Sequence, residues 1–409
     1  MRLLIGIGIV LLISGCSTAT RPALKVGIWR GVLNLQGQPL PFNFEVIQDS
    51  IQGYRAILQN AQERLALDEI RFEEDSVIFR LHIFDAELKA KIDGDSLKGF
   101  FIRSYEKNYR IPFQAAFNQD FRFHKTEPYA AVDFNGKYAV TFSNEKDTTL
   151  AIGLFKQNGN YVEGTFLTPT GDYRFLEGNV VAEKMYLSAF DGNHAYVFHA
   201  TKLNDSTLTG DYWSGKTLHQ QWIAVKNEQA TLPDPESLTY LKEGYDKIEF
   251  SFPDINGNII SLTDEKFKNK VVILQLFGTW CSNCMDETRF LMEWYTKNKS
   301  RGVEILGLAY EQKNDFIYAS GRIKKMQQKL GVPYSFVIAG TADKSKASKS
   351  LPMLNRVVAF PTTIFIGKDG KVKKIHTGFS GPGTGVYFEH EVEHFNETVN
   401  ACLAEGGNF

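Results

Sequence analysis

The chain has 409 residues, which is too long for one ordinary hydrophobic core and predicts two or three domains. Its 46 Lys and Arg nearly cancel its 47 Asp and Glu, so the charge provides no broad basic surface for nucleic acid. Its 31 Phe, 17 Tyr and 34 Gly favour many strands and tight turns. We therefore expect a globular, β-rich protein without a nucleic-acid partner.

The N-terminus has the pattern of a targeting segment. Arg2 precedes an apolar run at residues 3–13, which is too short to span a bilayer as a helix. Residues 12–16 resemble the lipobox of bacterial lipoproteins, in which the precursor is cut before a cysteine that then carries lipid. The resemblance implies lipidation of Cys16 and a membrane anchor in the bacterial cell envelope, facing the periplasm. The alternatives are a signal peptide cut elsewhere or a cytosolic apolar N-terminus.

The cysteine count points to chemistry rather than to structural cross-links. If Cys16 is lipidated, Cys281, Cys284 and Cys402 remain, which is too few for a disulfide framework in an exported protein of this length. Cys402 falls in the last predicted helix, where we expect a small buried apolar side chain.

Residues 26–225 predict an all-β region. Short alternating runs, such as residues 42–46 and 161–166, are separated by Gly-rich turns. A weak repeat with a period of about 110 residues pairs Gly27 with Gly136 and predicts two similar meandering sheets or small lipocalin-like barrels. The histidines of this region lack the spacing of metal ligands, so we expect them to be structural or exposed.

The pattern changes after a linker in which Pro233 and Pro235 break regular structure. Residues 250–262 predict a hairpin that turns at Asn256 and Gly257. Strands and helices then alternate, which predicts an α/β sandwich with parallel strands. The predicted strands are residues 271–277, 303–309, 335–339, 362–366 and 371–377, and the predicted helices are residues 281–299, 315–330 and 387–404.

Cys281 and Cys284 lie at the junction between the first of these strands and its helix. Half of a zinc site is the alternative, but no second Cys or His pair at ligand spacing completes it, so no metal site is predicted. At a helix N-terminus, free N–H groups and the helix dipole stabilise a thiolate. We expect Cys281 to be the exposed nucleophile and Cys284 to be the buried thiol that resolves a mixed disulfide.

Three segments resemble the thioredoxin superfamily, in its TlpA-like or ResA-like branch of envelope thiol-disulfide oxidoreductases. They are Phe277-Gly278-Thr279-Trp280-Cys281-Ser282-Asn283-Cys284 with Glu287, Phe252-Pro253-Asp254 with Gly257, and Phe360-Pro361-Thr362-Thr363-Ile364-Phe365-Ile366 with Asp369-Gly370. The resemblance implies a thioredoxin fold and a cis peptide before Pro361, opposite the cysteines. It also assigns Trp280, Phe360 and Thr362 to substrate binding.

Glu287 shares a predicted helix face with Cys284, Leu291 and Trp294. Burial raises the pKa of such a carboxyl, which can then exchange a proton with Cys284. The alternative is a first-turn acid that complements the helix dipole, a role that we expect Asp286 to fill from the outer side. The resemblance favours the first role, because Gln275 stands where thioredoxins proper carry a buried Asp.

These inferences give the following division of the chain: signal peptide 1–15, tether 16–25, β-rich repeats 26–127 and 128–226, linker 227–248, and thioredoxin-like domain 249–409. We expect a membrane-anchored enzyme that reduces protein disulfides without a cofactor, with oxidation or isomerisation of protein disulfides as the alternative direction. Its partners are a disulfide-containing client and an electron-donating thiol protein. The alternatives are a binding lipoprotein with a non-catalytic thioredoxin-like scaffold and, with less support, a peroxiredoxin-type peroxidase.

Overall fold

The computed structural model describes residues 23–49, 53–81, 83–126 and 129–405. The predicted signal peptide, Cys16 and the first part of the predicted tether lie outside the described residues. Within them, no helix is both long and apolar enough to cross a bilayer.

The first sheet is an antiparallel meander in which the first and last long strands also pair with each other. Alternation along these strands buries one face around Trp29, Phe42, Phe44 and Phe101, each at most 1% exposed. Its strands among the described residues are β1 Gly27–Leu35, β2 Gln38–Asp49, β3 Gly53–Asn60, β4 Glu63–Leu67, β5 Ile70–Glu73, β6 Ser76–Arg80, β7 Ala86–Asp93, β8 Ser96–Arg103 and β9 Arg110–Phe117.

The second sheet closes on itself as a small barrel. Its strands are β10 Gly136–Ser143, β11 Thr148–Asn158, β12 Tyr161–Thr168, β13 Gly171–Asp172, β14 Leu176–Val181, β15 Lys184–Phe190, β16 Ala195–Lys202, β17 Thr207–Ser214 and β18 Leu218–Lys226. Closure occurs because β11 pairs with both β10 and β12. Aromatic side chains, among them Phe142, Phe166 and Trp222, fill its interior.

The all-β prediction is confirmed for the described part of residues 26–226, which forms these barrel-like sheets without a helix. Gly27 and Gly136 open the first strand of their respective sheets with φ of +128° and +125°. The duplication and the lipocalin likeness remain predictions.

A buried arginine joins the two sheets. Arg122 donates from Nε to Ser188 Oγ over 3.1 Å and from Nη2 to Asn60 Oδ1 over 2.9 Å. Phe190 packs between Phe42 and Phe101 of the first sheet, with ring centroids 4.7 and 5.1 Å away. The two sheets therefore pack as one unit, which we call the β half.

The C-terminal region is an α/β sandwich, as predicted. Its central sheet has the order β23-β22-β21-β24-β25. Strands β21, β22 and β23 are parallel, β24 is antiparallel to β21, and β25 is antiparallel to β24. The elements are β19 Phe252–Pro253, β20 Ile259–Ile260, β21 Val271–Phe277, α1 Ser282–Asn298, β22 Val303–Glu311, α2 Phe316–Leu330, β23 Ser335–Thr341, α3 Lys344–Ser350, β24 Thr362–Ile366, β25 Val372–Thr377 and α4 Val386–Ala404. The predicted hairpin is confirmed as the β19–β20 pair.

Helix α3 was not predicted, because its seven residues are rich in Lys and Ser and only Ala347 is buried. Cys402 is 2% exposed on α4, as expected of a small apolar side chain. The linker lies against the C-terminal domain rather than free in solvent. Its segment Pro235–Ser237 forms a short 3-10 turn, and Tyr240 and Lys242 bond to the loop that follows α3.

Candidate dithiol site

Helix α1 begins immediately after Cys281, which is its N-cap residue. Cys281 and Cys284 form a disulfide. The backbone N–H of Cys284 lies 3.2 Å from Cys281 Sγ, so a free N–H of the first helical turn points at this sulfur. The same N–H groups would stabilise a Cys281 thiolate once the disulfide is reduced.

The loop before β24 faces this disulfide. The Phe360–Pro361 peptide bond is cis, as the resemblance implied, and Phe360 O lies 3.5 Å from Cys281 Sγ. The Trp280 ring packs edge-on against Phe360 with centroids 5.9 Å apart, and its Nε1 donates to Tyr310 O over 2.8 Å. Thr362 is fully buried and donates to Ala359 O. The structure thus brings together all of the predicted site residues of this loop.

Glu287 points inward, as predicted, and is 3% exposed. Gln275 donates from Nε2 to its Oε2 over 2.8 Å, and the Thr363 hydroxyl donates to its Oε1. Burial raises the pKa of Glu287 to about 7, although these two donors favour its charged form. Gln275 also contacts the carbonyl oxygen of Cys284 at 3.4 Å, so one amide touches both residues. A carboxyl in this state exchanges protons near neutral pH.

Two predictions about α1 are wrong. Cys281 is not exposed: only 6% of its surface is accessible, against 0% for Cys284. Asp286 does not face solvent but is buried and paired with Arg174 of the β half. Both errors have one cause, because the β half lies over this end of α1.

Arg174 lies at the centre of a buried charge cluster. Its guanidinium contacts Glu63 and Asp286 and lies 3.5 Å from Asp191 Oδ2. Burial opposes its charge, but these acids together raise its pKa. Burial also raises the pKa of Asp286 to about 6. Sequence reasoning missed Arg174, because a single Arg that lies far from α1 along the chain has no local pattern that indicates its partners.

Glu311, at the end of β22, was also missed. It is fully buried and accepts hydrogen bonds from the N–H and the hydroxyl of Thr279, both over 2.9 Å. Burial raises its pKa. Its contacts fix the loop that leads into Trp280 and Cys281. An acid directly after the apolar run of a buried parallel strand was the available signal.

Glu236, His376 and His394 bring three possible metal-ligating atoms within 4.8 Å of one another. The Lys374 ammonium lies 2.9 Å from Glu236 Oε1 and 3.0 Å from His394 Nε2. The positive charge of Lys374 therefore already balances the carboxylate of Glu236. These contacts tie the linker to β25 and α4.

The C-terminal domain has known relatives. Residues 244–389 match the Redoxin family model. The thiol-disulfide oxidoreductase ResA of Bacillus subtilis is 30% identical over 138 residues, which are 34% of this chain and 69% of ResA. ResA of Bacillus anthracis is 29% identical over 158 residues, which are 39% of this chain and 76% of that protein. The chain belongs to the ResA-like branch of the thioredoxin superfamily.

Solved structures of thioredoxin-family proteins resemble about two fifths of this ResA-like chain. A thiol:disulfide interchange protein of Chlorobium tepidum has a TM-score of 0.31 and 19% identity, and the match covers 40% of this chain and 99% of that one. The thioredoxin domain of a thiol-disulfide oxidoreductase of Bacteroides vulgatus has a TM-score of 0.29 and 24% identity, and the match covers 38% and 99%.

The family predicted from the three motifs is therefore confirmed, as is the thioredoxin-like fold of the C-terminal region. The individual roles of the predicted site residues remain predictions, as does the lipid on Cys16.

Proposed function

We propose that this protein reduces disulfides of client proteins in the bacterial cell envelope, with Cys281 as nucleophile and Cys284 as resolving thiol. The observation that supports this function most directly is the pair of sulfurs at the N-terminus of α1, opposite the Phe360–Pro361 loop. Membership in the ResA-like family agrees with it.

The reaction begins with the reduced pair. The Cys281 thiolate attacks one sulfur of a client disulfide, forming a mixed disulfide and releasing the other client sulfur as a thiolate that takes up a proton. Cys284 loses its proton and attacks Cys281 Sγ. This attack forms the Cys281–Cys284 disulfide and releases the second client thiolate. Two electrons pass from the dithiol to the client, and a thiol protein that donates electrons restores the reduced pair.

Glu287 is the proposed proton acceptor for Cys284. It lies one turn further along α1 on the same face. Because its pKa is about 7, its ionised form is present at neutral pH to accept a proton, and the side chain is neutral in the core once it has done so. Because Gln275 and Thr363 hold its carboxylate oxygens, its orientation is fixed before the reaction begins.

We assign client binding to Trp280, Phe360 and Thr362. Phe360 O lies beside Cys281 Sγ, and the Trp280 ring packs against the Phe360 ring. Thiol-disulfide exchange needs no cofactor. The anchor on Cys16 would hold the enzyme at the membrane of the envelope, where disulfides form.

The test consists of two parallel assays with the purified protein. One measures how fast dithiothreitol reduces insulin, and the other measures how fast it reduces a small disulfide, oxidised glutathione. Wild type is expected to accelerate at least one of these reductions, and Cys281→Ser to abolish the effect. Cys284→Ser is expected to accumulate a mixed disulfide on Cys281, detectable by mass spectrometry. The proposed function would be refuted if the wild-type protein accelerated the reduction of neither insulin nor oxidised glutathione more than the Cys281→Ser, Cys284→Ser double variant does.

A further inference from the structure

The face of the C-terminal domain that carries the disulfide is closed in this structure. Cys281, Ser282, Asn283 and Phe360 are 6, 1, 9 and 8% exposed. The groups that close it belong to the β half, namely two segments of the second sheet, residues 170–174 and 191–193. We call these two segments the cover.

Hydrogen bonds hold the cover on the residues that flank and separate the two cysteines. Asn193 Nδ2 donates to Trp280 O over 2.7 Å, and Arg174 Nη1 donates to Ser282 O over 3.1 Å. In the opposite direction, Asn283 Nδ2 donates to Asp172 O over 3.0 Å. Three polar groups of residues 280–283 therefore have partners in the β half rather than in solvent or in a client.

The cover also approaches the loop that faces the disulfide. Gly378 bonds through its N–H to Pro361 O over 2.9 Å, and a Cβ on Gly378 would lie 3.0 Å from the backbone carbon of Thr170. A Cβ on Gly171 would lie 3.0 Å from the Asn283 side-chain amide. Two glycines thus allow backbone to pack closely on both sides of the site.

A protein client cannot reach Cys281 in this arrangement. Attack on a disulfide requires the two reacting sulfurs to come within about 3–3.5 Å in line with the bond that breaks, and the client chain needs room beside that sulfur. The cover occupies this space. We propose that the β half is a movable cover of the dithiol site, which is closed in the disulfide form and must move away before a protein-sized thiol or disulfide reaches Cys281. This inference rests on the proposed function.

The chemistry of the contact suits a reversible cover. Its polar part is the cluster of Arg174 with Glu63, Asp191 and Asp286, which lies beside buried apolar side chains such as Leu65, Phe84 and Met285. The desolvation penalty of buried ion pairs consumes much of their attraction, and separated charges regain water. The first sheet meets α2 in the same way, through Lys325 and Lys329 with Glu69.

The chain also provides a place for the motion. The last backbone bonds of the linker on the β-half side are Asn227 N to Lys137 O and Ala230 N to Asn227 O, whereas Glu236 pairs with Lys374 of the C-terminal domain. Residues 231–234 lie between these anchor points. We assign the hinge to this segment, and the packing of Phe190 against Phe42 and Phe101 keeps the two sheets together as they move.

The experiment compares how fast a small and a large reductant open the Cys281–Cys284 disulfide in the full chain. The probes are tris(carboxyethyl)phosphine and reduced thioredoxin, with acid quenching, alkylation and mass spectrometry of the Cys281 peptide. The rate with thioredoxin is divided by the rate with tris(carboxyethyl)phosphine. This ratio is then normalised to the same ratio measured when the two reductants act on oxidised glutathione as a reference substrate. We expect wild type to disfavour thioredoxin by at least about tenfold relative to this reference, because only the open fraction reacts with it.

Arg174→Met removes the central charge of the contact and is expected to bring the normalised ratio at least about tenfold closer to the glutathione value. Its matched control is Arg122→Met, another buried arginine, whose hydrogen bonds among the described residues all lie within the β half and which should leave the ratio unchanged. Asn193→Ala, with Asn179→Ala as its control, repeats the test if Arg174→Met does not fold.

A wild-type ratio equal to that of glutathione would overturn the proposal, as would cover variants that fold and keep the wild-type ratio. The proposed function is judged separately. If Arg174→Met shows the expected ratio but no variant reduces insulin or glutathione better than the double cysteine variant, the cover stands and the reductase function fails.

Discussion

Gln275 donates a hydrogen bond from Nε2 to Glu287 Oε2 over 2.8 Å, in the interior between β21 and α1. This bond favours the charged carboxylate, and burial opposes it more strongly, so that the pKa of Glu287 rises from 4.5 to about 7. The balance places in the core a group that exchanges protons near pH 7.

Glu287→Gln is expected to change how stability depends on pH. The folded protein keeps the Glu287 proton up to about pH 7 and the unfolded chain only up to about 4.5, so wild type loses stability as pH rises between these values. The free energy of unfolding of Glu287→Gln minus that of wild type should therefore rise by about 3 kcal/mol from pH 4 to pH 8. Urea unfolding measures this difference. A difference that is constant with pH would show that the pKa of Glu287 is the same in the folded and unfolded protein.

The same substitution is expected to change thiol reactivity. Wild-type alkylation of the reduced pair should show an inflection near pH 7, in addition to those of the thiols, because the charge of Glu287 alters the proton affinity of Cys284. Iodoacetamide labelling across pH 5 to 9 measures it. An inflection that persists in Glu287→Gln would assign it to another group.

Gln275→Leu should raise the pKa of Glu287 above about 7, because the lost donor had favoured the carboxylate. The alkylation inflection should therefore move upward by about one pH unit. The variant should also lose about 1–3 kcal/mol of stability, since Tyr334 loses its acceptor in the core. The control is the double variant with Glu287→Gln, in which there is no inflection left to move. A downward shift would contradict the assigned role of this amide.

Glu311→Ala should lower the free energy of unfolding by about 1–3 kcal/mol and slow insulin reduction, because the buried N–H of Thr279 loses its acceptor and the loop before Trp280 loses its support. Glu311→Gln keeps one acceptor oxygen and should retain most of the wild-type stability. Equal values for the two variants would show that these hydrogen bonds do not hold the loop.

Gly171→Ala should destabilise the protein more than Gly159→Ala. Both glycines have positive φ, +142° and +61°, but only at Gly171 would a new Cβ meet a neighbour, the Asn283 amide of the site. We expect a cost of about 1–3 kcal/mol at Gly171 and about 1 kcal/mol at Gly159. Thermal unfolding measures both costs, and a larger loss at Gly159 would contradict the close packing of the cover on α1.

Local rules were sufficient for much of the C-terminal domain. Strand β21 and helix α2 each lie where the sequence predicts them, and Gly331 ends α2 in the left-handed conformation. Glu287 and Cys284 share a buried face because residues three apart on a helix do so wherever that helix packs. Helix α3 escaped prediction because it has no apolar stripe to detect.

The exposure of Cys281 and the orientation of Asp286 could not be obtained in this way. Their surroundings depend on Arg174, Asp172 and Asn193, which are about 90 to 110 residues distant along the chain. Polar side chains on turns carry no periodic signal of the partners they meet.

The sequence by itself determined the family, the alternation of strands and helices after the linker, the β character before it, and the dithiol with its inward carboxyl. These features follow from short-range spacing, which backbone geometry converts directly into faces and turns. Only the tertiary structure showed that the β half lies on the dithiol and that Arg174 meets acids from three separate segments. The physical reason is that a buried charge finds its partners through the packing of whole sheets, and no local pattern encodes that packing.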